Sequence, residues 1–422
     1  MSKLTVAVSC PIDTYSGYGA RSRDFVKGLI DLKEYDIKII SQRWGNTRFG
    51  YLKDHNETGL QALVINKLDT QPDIWIQCTV PNEFQKIGKF NIGLTAGIET
   101  TLCAAPWVEG CNRMDLILVS SEHSKKVFLD SVYDQKDNRT NKIVKQIKVE
   151  TPIEVLFEGA DLSKYKAIKS TFDLSSVKES FCYLFVGHWL QGKLNEDRKN
   201  VGYMIKSFLE TFKNKRNAPA LLLKTSRANT SILDRTAILK KIDDIRKTVK
   251  GSLPNIYLLH GDISDSEMNN LYNHDKVKAM ISFTKGEGFG RPLLEFSLTN
   301  KPIIASAWSG QVDFLDPQFT ALVGGQLKQI DPSAAIKDVL IPESQWFQAD
   351  PESTAKAYKD VFKNYKKYLN NAKRLGHKNR TNFSYERMVE KIKEYIEAYK
   401  PEMPKQVELS LPKLDLPTLK KV

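Results

Sequence analysis

The sequence has few of the residues and patterns that mark secreted, metal-binding or membrane-spanning proteins. Its five cysteines are scattered, odd in number and without a Cys-x-x-Cys pair, which argues against a disulfide framework or a zinc site and fits a reducing compartment. Its six histidines show no metal-ligand spacing. No apolar run approaches the roughly 20 residues of a membrane span, and the apolar part of the N-terminus is too short for a secretory signal. We therefore expect a cytoplasmic protein with no membrane span.

What the chain does have is length, apolar content and positive charge. It has 422 residues, of which 41% are hydrophobic, and domains usually contain about 100–200 residues, so we expect more than one domain. Lysine and arginine number 63 against 50 acidic residues, which gives a net charge of +13. Such an excess favours polyanionic partners, namely nucleic acid, an anionic membrane face or phosphorylated substrates. A solvated lysine-rich surface explains the same composition equally well.

Short apolar runs alternate with amphipathic helical patterns along most of the chain. This alternation predicts parallel strands covered by helices on both faces, which is the doubly wound α/β class. It stops in a loop-like stretch near residues 159–180 and then restarts, so we predict two Rossmann-like domains, at residues 1–165 and 170–384. The expected strands are Leu4–Ser9, Asp36–Ile40, Asp73–Gln77, Asn91–Ala96, Asp115–Ser120 and Ile153–Phe157, then Phe181–Val186, Ala220–Lys224, Ile256–Leu259, Ala279–Phe283 and Pro302–Ser306.

The other segments are predicted from helical periodicity, charge and proline. Residues 351–375 indicate a long amphipathic helix or a helix pair, and residues 385–400 a C-terminal helix that returns to the N-terminal domain. Residues 401–422 form a proline-rich tail, which we expect to be extended because its prolines prevent a regular helix. The polar, basic stretch 134–148 is predicted to be an exposed loop.

A glycine-containing turn follows the first predicted strand and precedes the first predicted helix. Gly17 and Gly19 would let the backbone approach an anion at the helix N-terminus, where free N–H groups point outward. A dinucleotide-binding domain would also need an acidic residue at the end of the second strand, and Ile39–Arg43 contains none. The pattern therefore leaves two readings, an anion-binding loop and a simple strand-to-helix turn.

The most specific pattern is a second glycine loop, which follows a buried strand and opens a helix. Glu287 lies in the loop and Glu295 about one turn into the helix, with seven residues between them. Carboxylates accept hydrogen bonds from sugar hydroxyls, so this pair can hold two polyol groups of one ligand. Gly288 and Gly290 would free the backbone for close approach of the ligand's phosphates. The alternative is a capped helix with a solvated Glu295.

This segment resembles the E-x7-E signature of retaining GT-B glycosyltransferases, closest to glycosyltransferase family 4. The resemblance extends over roughly residues 4 to 398 and implies the GT-B fold, in which two Rossmann-like domains face each other across a cleft. The first domain would lie on the acceptor side, and the second would bind a nucleotide sugar. Other stretches similar to the family are Val119–Lys125 (its VPSE element), Val155–Asp161 (its interdomain PNGVD segment), Lys301–Gly310 (its strand and glycine turn) and Phe383–Met388 (its FSWE helix start).

The resemblance also implies roles for individual residues. Glu287 is expected to bind the transferred sugar at the catalytic centre, and Glu295 to bind the donor ribose. Arg198 and Lys199 match the cations of the family's phosphate grip, with His188 where the family has arginine. The donor is expected to be a UDP-linked sugar, transferred with retention and without a required metal, since no convincing Asp-x-Asp element occurs. The other implied donor-binding residues are Gly17, Gly19, Ile263, Phe289, Gly290 and Arg291.

The acceptor side is less determined by the sequence. Glu99 follows a predicted strand, in the neighbourhood where many members of the family carry a histidine in the cleft. It is expected to orient or deprotonate the acceptor hydroxyl, and a helix-capping or buried-network role is the alternative. Trp107, Asn112 and Arg113 are candidates to line the acceptor path, with core packing favoured for Trp107.

Several acceptors are compatible with these features. The lysine- and asparagine-rich composition resembles that of tailed-phage proteins, which favours hydroxymethylated cytosine in double-stranded DNA as the acceptor. The base would be flipped from the duplex into the cleft, and phosphate contacts would supply affinity that weakens with salt. The alternatives are a cell-envelope polysaccharide or lipid-linked glycan, a non-catalytic sugar-nucleotide-binding protein, and a sugar-nucleotide epimerase.

Overall fold

The structure is a computed structural model that describes residues 3–402, except residues 138, 190, 228 and 229. The predicted tail lies outside the described residues from residue 403 onward. None of the described helices is both long enough and apolar enough to cross a membrane.

A six-stranded parallel sheet forms the N-terminal half, in the order β2-β1-β3-β4-β5-β8. Its strands are buried on both faces, which explains their continuous apolar runs; every residue of β5 is buried. The strands of the sheet are β1 (Leu4–Cys10), β2 (Tyr35–Ser41), β3 (Ile74–Cys78), β4 (Phe90–Leu94), β5 (Leu116–Val119) and β8 (Ile153–Val155). Two more strands of this half, β6 (Tyr133–Lys136) and β7 (Ile143–Ile147), pair separately. The helices are α1 (Gly17–Leu32), α2 (Tyr51–Asp54), α3 (Thr58–Gln61), α4 (Ala105–Cys111) and α5 (Glu122–Asp130).

A second six-stranded parallel sheet forms the C-terminal half, in the order β11-β10-β9-β12-β13-β14. The predicted class, two doubly wound sheets with covering helices, is confirmed. The strands of this sheet are β9 (Cys182–Val186), β10 (Ala220–Lys224), β11 (Ile256–Leu259), β12 (Val277–Ser282), β13 (Ile303–Ser306) and β14 (Ala321–Val323). Two more strands of this half, β15 (Gly325–Gln329) and β16 (Gln345–Ala349), pair separately. The helices are α6 (Val201–Phe212), α7 (Ile232–Lys247), α8 (Asp265–Asn273), α9 (Arg291–Ser297), α10 (Pro351–Lys363), α11 (Tyr365–Asn382) and α12 (Tyr385–Tyr399).

The strand orders fix where ligands can bind. In the first sheet β2 lies on one side of β1 and β3 on the other, so the direction in which strands are added reverses between β1 and β3. In the second sheet the same reversal lies between β9 and β12. Loops that leave the carboxyl ends of such strands diverge and open a crevice. The loops that carry Gly17 and Glu287 leave β1 and β12, so both belong to such crevices.

Two segments differ from the prediction. The stretch 134–148 is not a loop but an antiparallel hairpin of β6 and β7, although most of its residues are exposed as expected. Its turn is built by Asp137, which accepts hydrogen bonds from the N–H groups of Arg139 and Thr140. The hairpin of β15 and β16 was not predicted, because all five residues of β15 are exposed and carry no apolar alternation.

The C-terminal helix α12 packs on the N-terminal half of the molecule. The Tyr385 hydroxyl donates to Asp31 of α1 at 2.7 Å, and the Tyr395 hydroxyl donates to the carbonyl of Val155 at 3.1 Å. Gly28 allows the close approach, because a Cβ there would lie 3.1 Å from Ile392. This helix therefore ties the end of the second sheet's domain to the first.

Candidate active site

A cavity of about 630 Å³ lies between the carboxyl ends of the two sheets. It is enclosed by loops from both halves of the chain, as a crevice between two switch points requires. Its wall includes Tyr15–Tyr18 after β1, Trp44 and Thr47 after β2, Ala96 and Glu99 after β4, Gly187 and His188 after β9, Lys224–Ser226 after β10, Asp262 after β11, and Glu287–Pro292 after β12.

The N-terminal wall contains the first turn of α1. Ser16 caps this helix by accepting a hydrogen bond from the Gly19 N–H at 2.9 Å. Gly19 is buried, and a Cβ there would lie only 2.3 Å from the carbonyl of Thr14, so glycine is required by the turn itself. Gly17 has open space around it and lines the cavity. Gly19 therefore fits the strand-to-helix turn, whereas anion binding at Gly17 stays a prediction.

Four charged side chains meet at the centre of the cavity. The Lys199 ammonium lies 2.6 Å from one carboxylate oxygen of Glu287, and the Arg198 guanidinium lies 3.3 Å from the other. The same Arg198 nitrogen lies 3.3 Å from Glu99 and donates to the carbonyl of Gly286 at 2.8 Å. One network is therefore formed by residues from three distant parts of the sequence, Glu99, the adjacent pair Arg198 and Lys199, and Glu287.

Burial and charge act in opposite directions within this network. Burial raises the pKa of Glu287, but Lys199 and Arg198 outweigh it, so the carboxyl titrates below its ordinary value. Burial lowers the pKa of Lys199 more than Glu287 raises it. For Arg198, burial lowers the pKa, and Glu99 and Glu287 more than compensate. The cations that neutralise Glu99 and Glu287 are thus held in a site that is largely shielded from water, where electrostatic interactions are strong.

The glycines of the second loop have a reason that differs from the predicted one. A Cβ on Gly286 would lie 1.8 Å from the carbonyl of Glu99, and one on Gly288 would lie 2.3 Å from the carbonyl of Ala96. These two glycines therefore admit the backbone of the N-terminal half, and Gly288 also lines the cavity. Gly290 does have a conformational role, since its φ of +98° at the N-cap of α9 suits glycine.

Arg291 joins the two halves beside this loop. Its guanidinium pairs with Asp24 of α1 at 2.5 Å and with Glu295, one turn along α9, at 2.8 Å. Burial raises the pKa of Glu295 to about 7, against the opposing effect of Arg291. Three residues predicted to bind the donor are not among the described residues that line the cavity, namely Gly19, Ile263 and Glu295.

At the predicted donor-binding residue Ile263, it is the preceding residue that reaches the cavity. Ile263 packs against the apolar core, whereas its neighbour Asp262 lines the cavity. Phe289 lines the cavity but is only 2% exposed and packs on Phe314, with ring centroids 5.0 Å apart. The ring of Phe289 thus supports the loop from below.

The candidates for an acceptor path have structural roles instead. Trp107 is 2% exposed and stacks on Phe128 in the core. The Arg113 guanidinium donates to the carbonyls of Phe84 and Asn82, and Asn112 binds the backbone near residue 148. None of the three is among the described residues that line the cavity, and Trp107 packs in the core, as the favoured interpretation predicts.

Sequence analysis missed several residues of the cavity wall. Tyr18 and Trp44 stack with ring centroids 3.9 Å apart, and Lys224 donates to the carbonyl of Gly261 at 2.6 Å. Arg21 is 4% exposed, and two of its nitrogens are buried without a hydrogen-bond partner, although it lies 3.6 Å from Glu158. Position was the one usable sign of a ligand site for two of them, because Lys224 ends a strand and Trp44 follows one closely.

The charges of the wall suit an anionic ligand with polar groups. Five cations line it, and so do four carboxylates. Fixed cations can hold a diphosphate, and the carboxylates can accept hydrogen bonds from hydroxyls. The cations are Arg21, Arg198, Lys199, Lys224 and Arg291, and the carboxylates are Glu99, Glu158, Asp262 and Glu287.

Comparison with known proteins supports the fold. No family model matches the chain, and no curated protein matches it. Solved structures do match over nearly the whole chain. A glycosyltransferase from Rickettsia africae ESF-5 has a TM-score of 0.62 and 14% identity, covering 96% of this chain and 100% of that one.

Two further structures show the same relationship. Anabaena Alr3699/HepE in complex with UDP-glucose has a TM-score of 0.61 and 12% identity, covering 94% of this chain and 100% of that one. Sucrose-phosphate synthase from Thermosynechococcus elongatus has a TM-score of 0.60 and 11% identity, covering 94% and 99%. At such low identity the likeness shows the fold alone, and that fold is GT-B, as the motifs implied.

Proposed function

We propose that this protein is a retaining glycosyltransferase that moves a sugar from a UDP-linked donor to a hydroxyl acceptor. The observation that carries the proposal is the network of charged residues that line the interdomain cavity, Glu287, Glu99, Arg198 and Lys199. The UDP-glucose complex of the Anabaena protein, which shares the fold, supports a nucleotide-sugar donor.

The residues of the cavity divide the work of the reaction. Transfer breaks the bond between the sugar C1 and the diphosphate oxygen, and the electron pair leaves with the diphosphate. Arg198 and Lys199 stabilise that growing negative charge. Glu287 then holds the hydroxyls of the sugar, whose ring carries positive charge in the transition state. A new bond forms between C1 and the acceptor oxygen, and Glu99 accepts the proton of that hydroxyl.

In the structure, Glu287 already neutralises the two cations that would meet the diphosphate. Donor binding therefore exchanges one anionic partner for another and frees Glu287 to bind the sugar. Ser309 anchors the loop during this exchange, because its hydroxyl accepts a hydrogen bond from the Glu287 N–H at 2.9 Å. Ordered closure of both halves around the donor would exclude water and limit hydrolysis.

The test is a donor panel followed by mass spectrometry and by measurement of free nucleotide. We expect UDP release from at least one UDP-sugar, and its loss in Glu287→Ala with the circular dichroism spectrum unchanged. Glu196→Gln is the matched control, since Glu196 also pairs with a lysine of this region, Lys285, at 2.9 Å. If the chain bound UDP-sugars but released no UDP with any acceptor, a non-catalytic sugar-nucleotide-binding protein would be favoured.

For the acceptor, we propose hydroxymethylated cytosine in duplex DNA. The net charge of +13 supports this choice, because non-specific affinity for DNA comes from cations that neutralise phosphates. A duplex with hydroxymethylcytosine should gain the mass of one sugar per modified base, and its binding should weaken as salt rises. A chain that releases UDP with other acceptors and leaves this duplex unchanged with every donor would exclude DNA and favour an envelope or lipid-linked glycan.

A further inference from the structure

A second cavity, of about 340 Å³, lies next to the candidate active site. It is enclosed by the loop after β9, by α7 and by the segment 334–346, which leads into β16. Arg198 lines both cavities, so the two spaces meet at the side chain that contacts Glu99 and Glu287. The volume falls within the range of about 300–1,000 Å³ that is typical of small-molecule sites.

The wall of this cavity combines an apolar surface with cations. Trp189, Trp346 and Ile336 provide the apolar part, and Arg227 and Lys241 join Arg198 as cations. Among the described residues that line it, none is acidic. The Lys241 ammonium lies 5.0 Å from the centre of the Trp189 ring, so the charge and the aromatic surface are adjacent.

Nearby carboxylates compensate these cations only in part. Asp234 and Asp197 attract Lys241, but burial, and after it Arg227, lower the pKa of that lysine. Asp234 is already engaged, since it accepts hydrogen bonds from the Arg227 N–H and from His260, each at 3.0 Å. Arg227 and Lys241 thus line one cavity whose described wall holds no acidic residue, and two cations on one wall suit a phosphate group.

We propose that this second cavity is a subsite for a phosphate ester on the acceptor. Arg227 and Lys241 bind the phosphate, and the attached sugar or base extends along the cavity towards Arg198, beside which Glu99 can accept the proton of the hydroxyl. This proposal rests on the proposed glycosyl transfer. A nucleotide of DNA and a phosphorylated sugar share the required chemistry, and the experiment separates them.

The experiment measures binding of small probes to the full chain by isothermal titration. The probes are 5-hydroxymethyl-2′-deoxycytidine 5′-monophosphate and glucose 6-phosphate, each with its neutral counterpart, and UDP is titrated separately. The variants are Arg227→Gln and Lys241→Gln. Lys240→Gln is the matched control, because Lys240 is the neighbouring residue of α7, is 76% exposed and pairs with Asp244.

We expect the original chain and the control to bind one phosphorylated probe about tenfold more tightly than its neutral counterpart. Arg227→Gln and Lys241→Gln should remove that preference while losing much less affinity for UDP. The nucleotide and the sugar phosphate arms identify which acceptor class is bound. No preference for phosphate in the original chain, or a preference that survives both substitutions, would overturn the proposal. Phosphate-dependent binding without any UDP binding would instead refute the proposed donor and leave the subsite standing.

Discussion

The charge network predicts an unusual response to removal of Glu287. Glu287→Gln keeps the shape of the side chain but leaves Lys199, whose side chain is 17% exposed, without its counter-charge. Breaking a buried ion pair by removing one partner typically costs about 3–5 kcal/mol. Arg198 keeps Glu99 at 3.3 Å, so we expect the lower end of that range, about 3 kcal/mol. The free energy of unfolding, measured in urea at pH 7, should fall by that amount.

The same substitution should strengthen binding of UDP. In the original chain a diphosphate competes with Glu287 for Lys199 and Arg198, and in the variant that competition is gone. We expect about tenfold tighter binding, equivalent to about 1.4 kcal/mol, although transfer is lost. Stabilisation by a ligand follows its concentration relative to its dissociation constant, so UDP should restore part of the lost stability.

Two companion variants make this reasoning testable. Glu196→Gln leaves the buried Lys285 without its carboxylate and should also reduce stability, but it should leave UDP affinity unchanged. Adding Lys199→Met to Glu287→Gln removes the uncompensated charge, so it should recover stability and lose the gain in UDP affinity. If Glu287→Gln were as stable as the original chain, or bound UDP no more tightly than Glu196→Gln does, the network would not be the donor's competitor.

Three further perturbations follow from the site. In the folded chain the pKa of Glu295 is raised from 4.5 to about 7, so the folded state holds the proton more tightly than the unfolded state. The free energy of unfolding should therefore fall by roughly 1–3 kcal/mol as the pH rises between these two values. Urea titrations of Glu295→Gln should show no such fall. Gly288→Ala places a Cβ 2.3 Å from the Ala96 carbonyl, so it should open the cleft, enlarge the radius of gyration in small-angle scattering and abolish transfer, whereas Gly59→Ala, with nothing within 4 Å, should do neither. Asp24→Asn leaves Arg291 with Glu295 alone and should cost about 1–2 kcal/mol in urea unfolding; an unchanged midpoint would show that this interdomain pair contributes nothing.

The regular parts of the fold were predictable because burial imposes simple patterns on them. Parallel strands buried on both faces read as continuous apolar runs, and β10, with four of its five residues buried, begins and ends where its run does. The half-buried β11 also has its predicted bounds. The β6–β7 and β15–β16 hairpins escaped prediction because their residues are mostly exposed, so no apolar period marks them. Their positions depend on contacts with distant segments, such as the Tyr133 hydroxyl on the carbonyl of Cys103.

The candidate site was predictable only as far as single motifs go. Glu287, Arg198 and Lys199 were identified one motif at a time, and the structure shows that their charges compensate each other. The contact of Arg198 with Glu99 spans the two halves and leaves no trace in local sequence. Lys224 and Trp44 stand at or after strand ends, but the stacking of Trp44 on Tyr18 and the meeting of these loops at one cavity are tertiary features.

Closure of the cleft and protection of its charges are one event in this molecule. The loop of Gly286 and Gly288 lies against the backbone at Ala96 and Glu99, and the Ser120 hydroxyl donates to the Gly288 carbonyl at 3.0 Å. Because Glu99 belongs to the first half and Arg198 to the second, any movement that separates the two halves also pulls Glu99 away from Arg198. Opening therefore leaves Arg198 with fewer counter-charges and prepares it for a diphosphate, whereas closing without a donor restores the internal ion pairs. A donor that enters the open cleft thus meets an Arg198 that has lost Glu99 and keeps only Glu287 as its counter-charge.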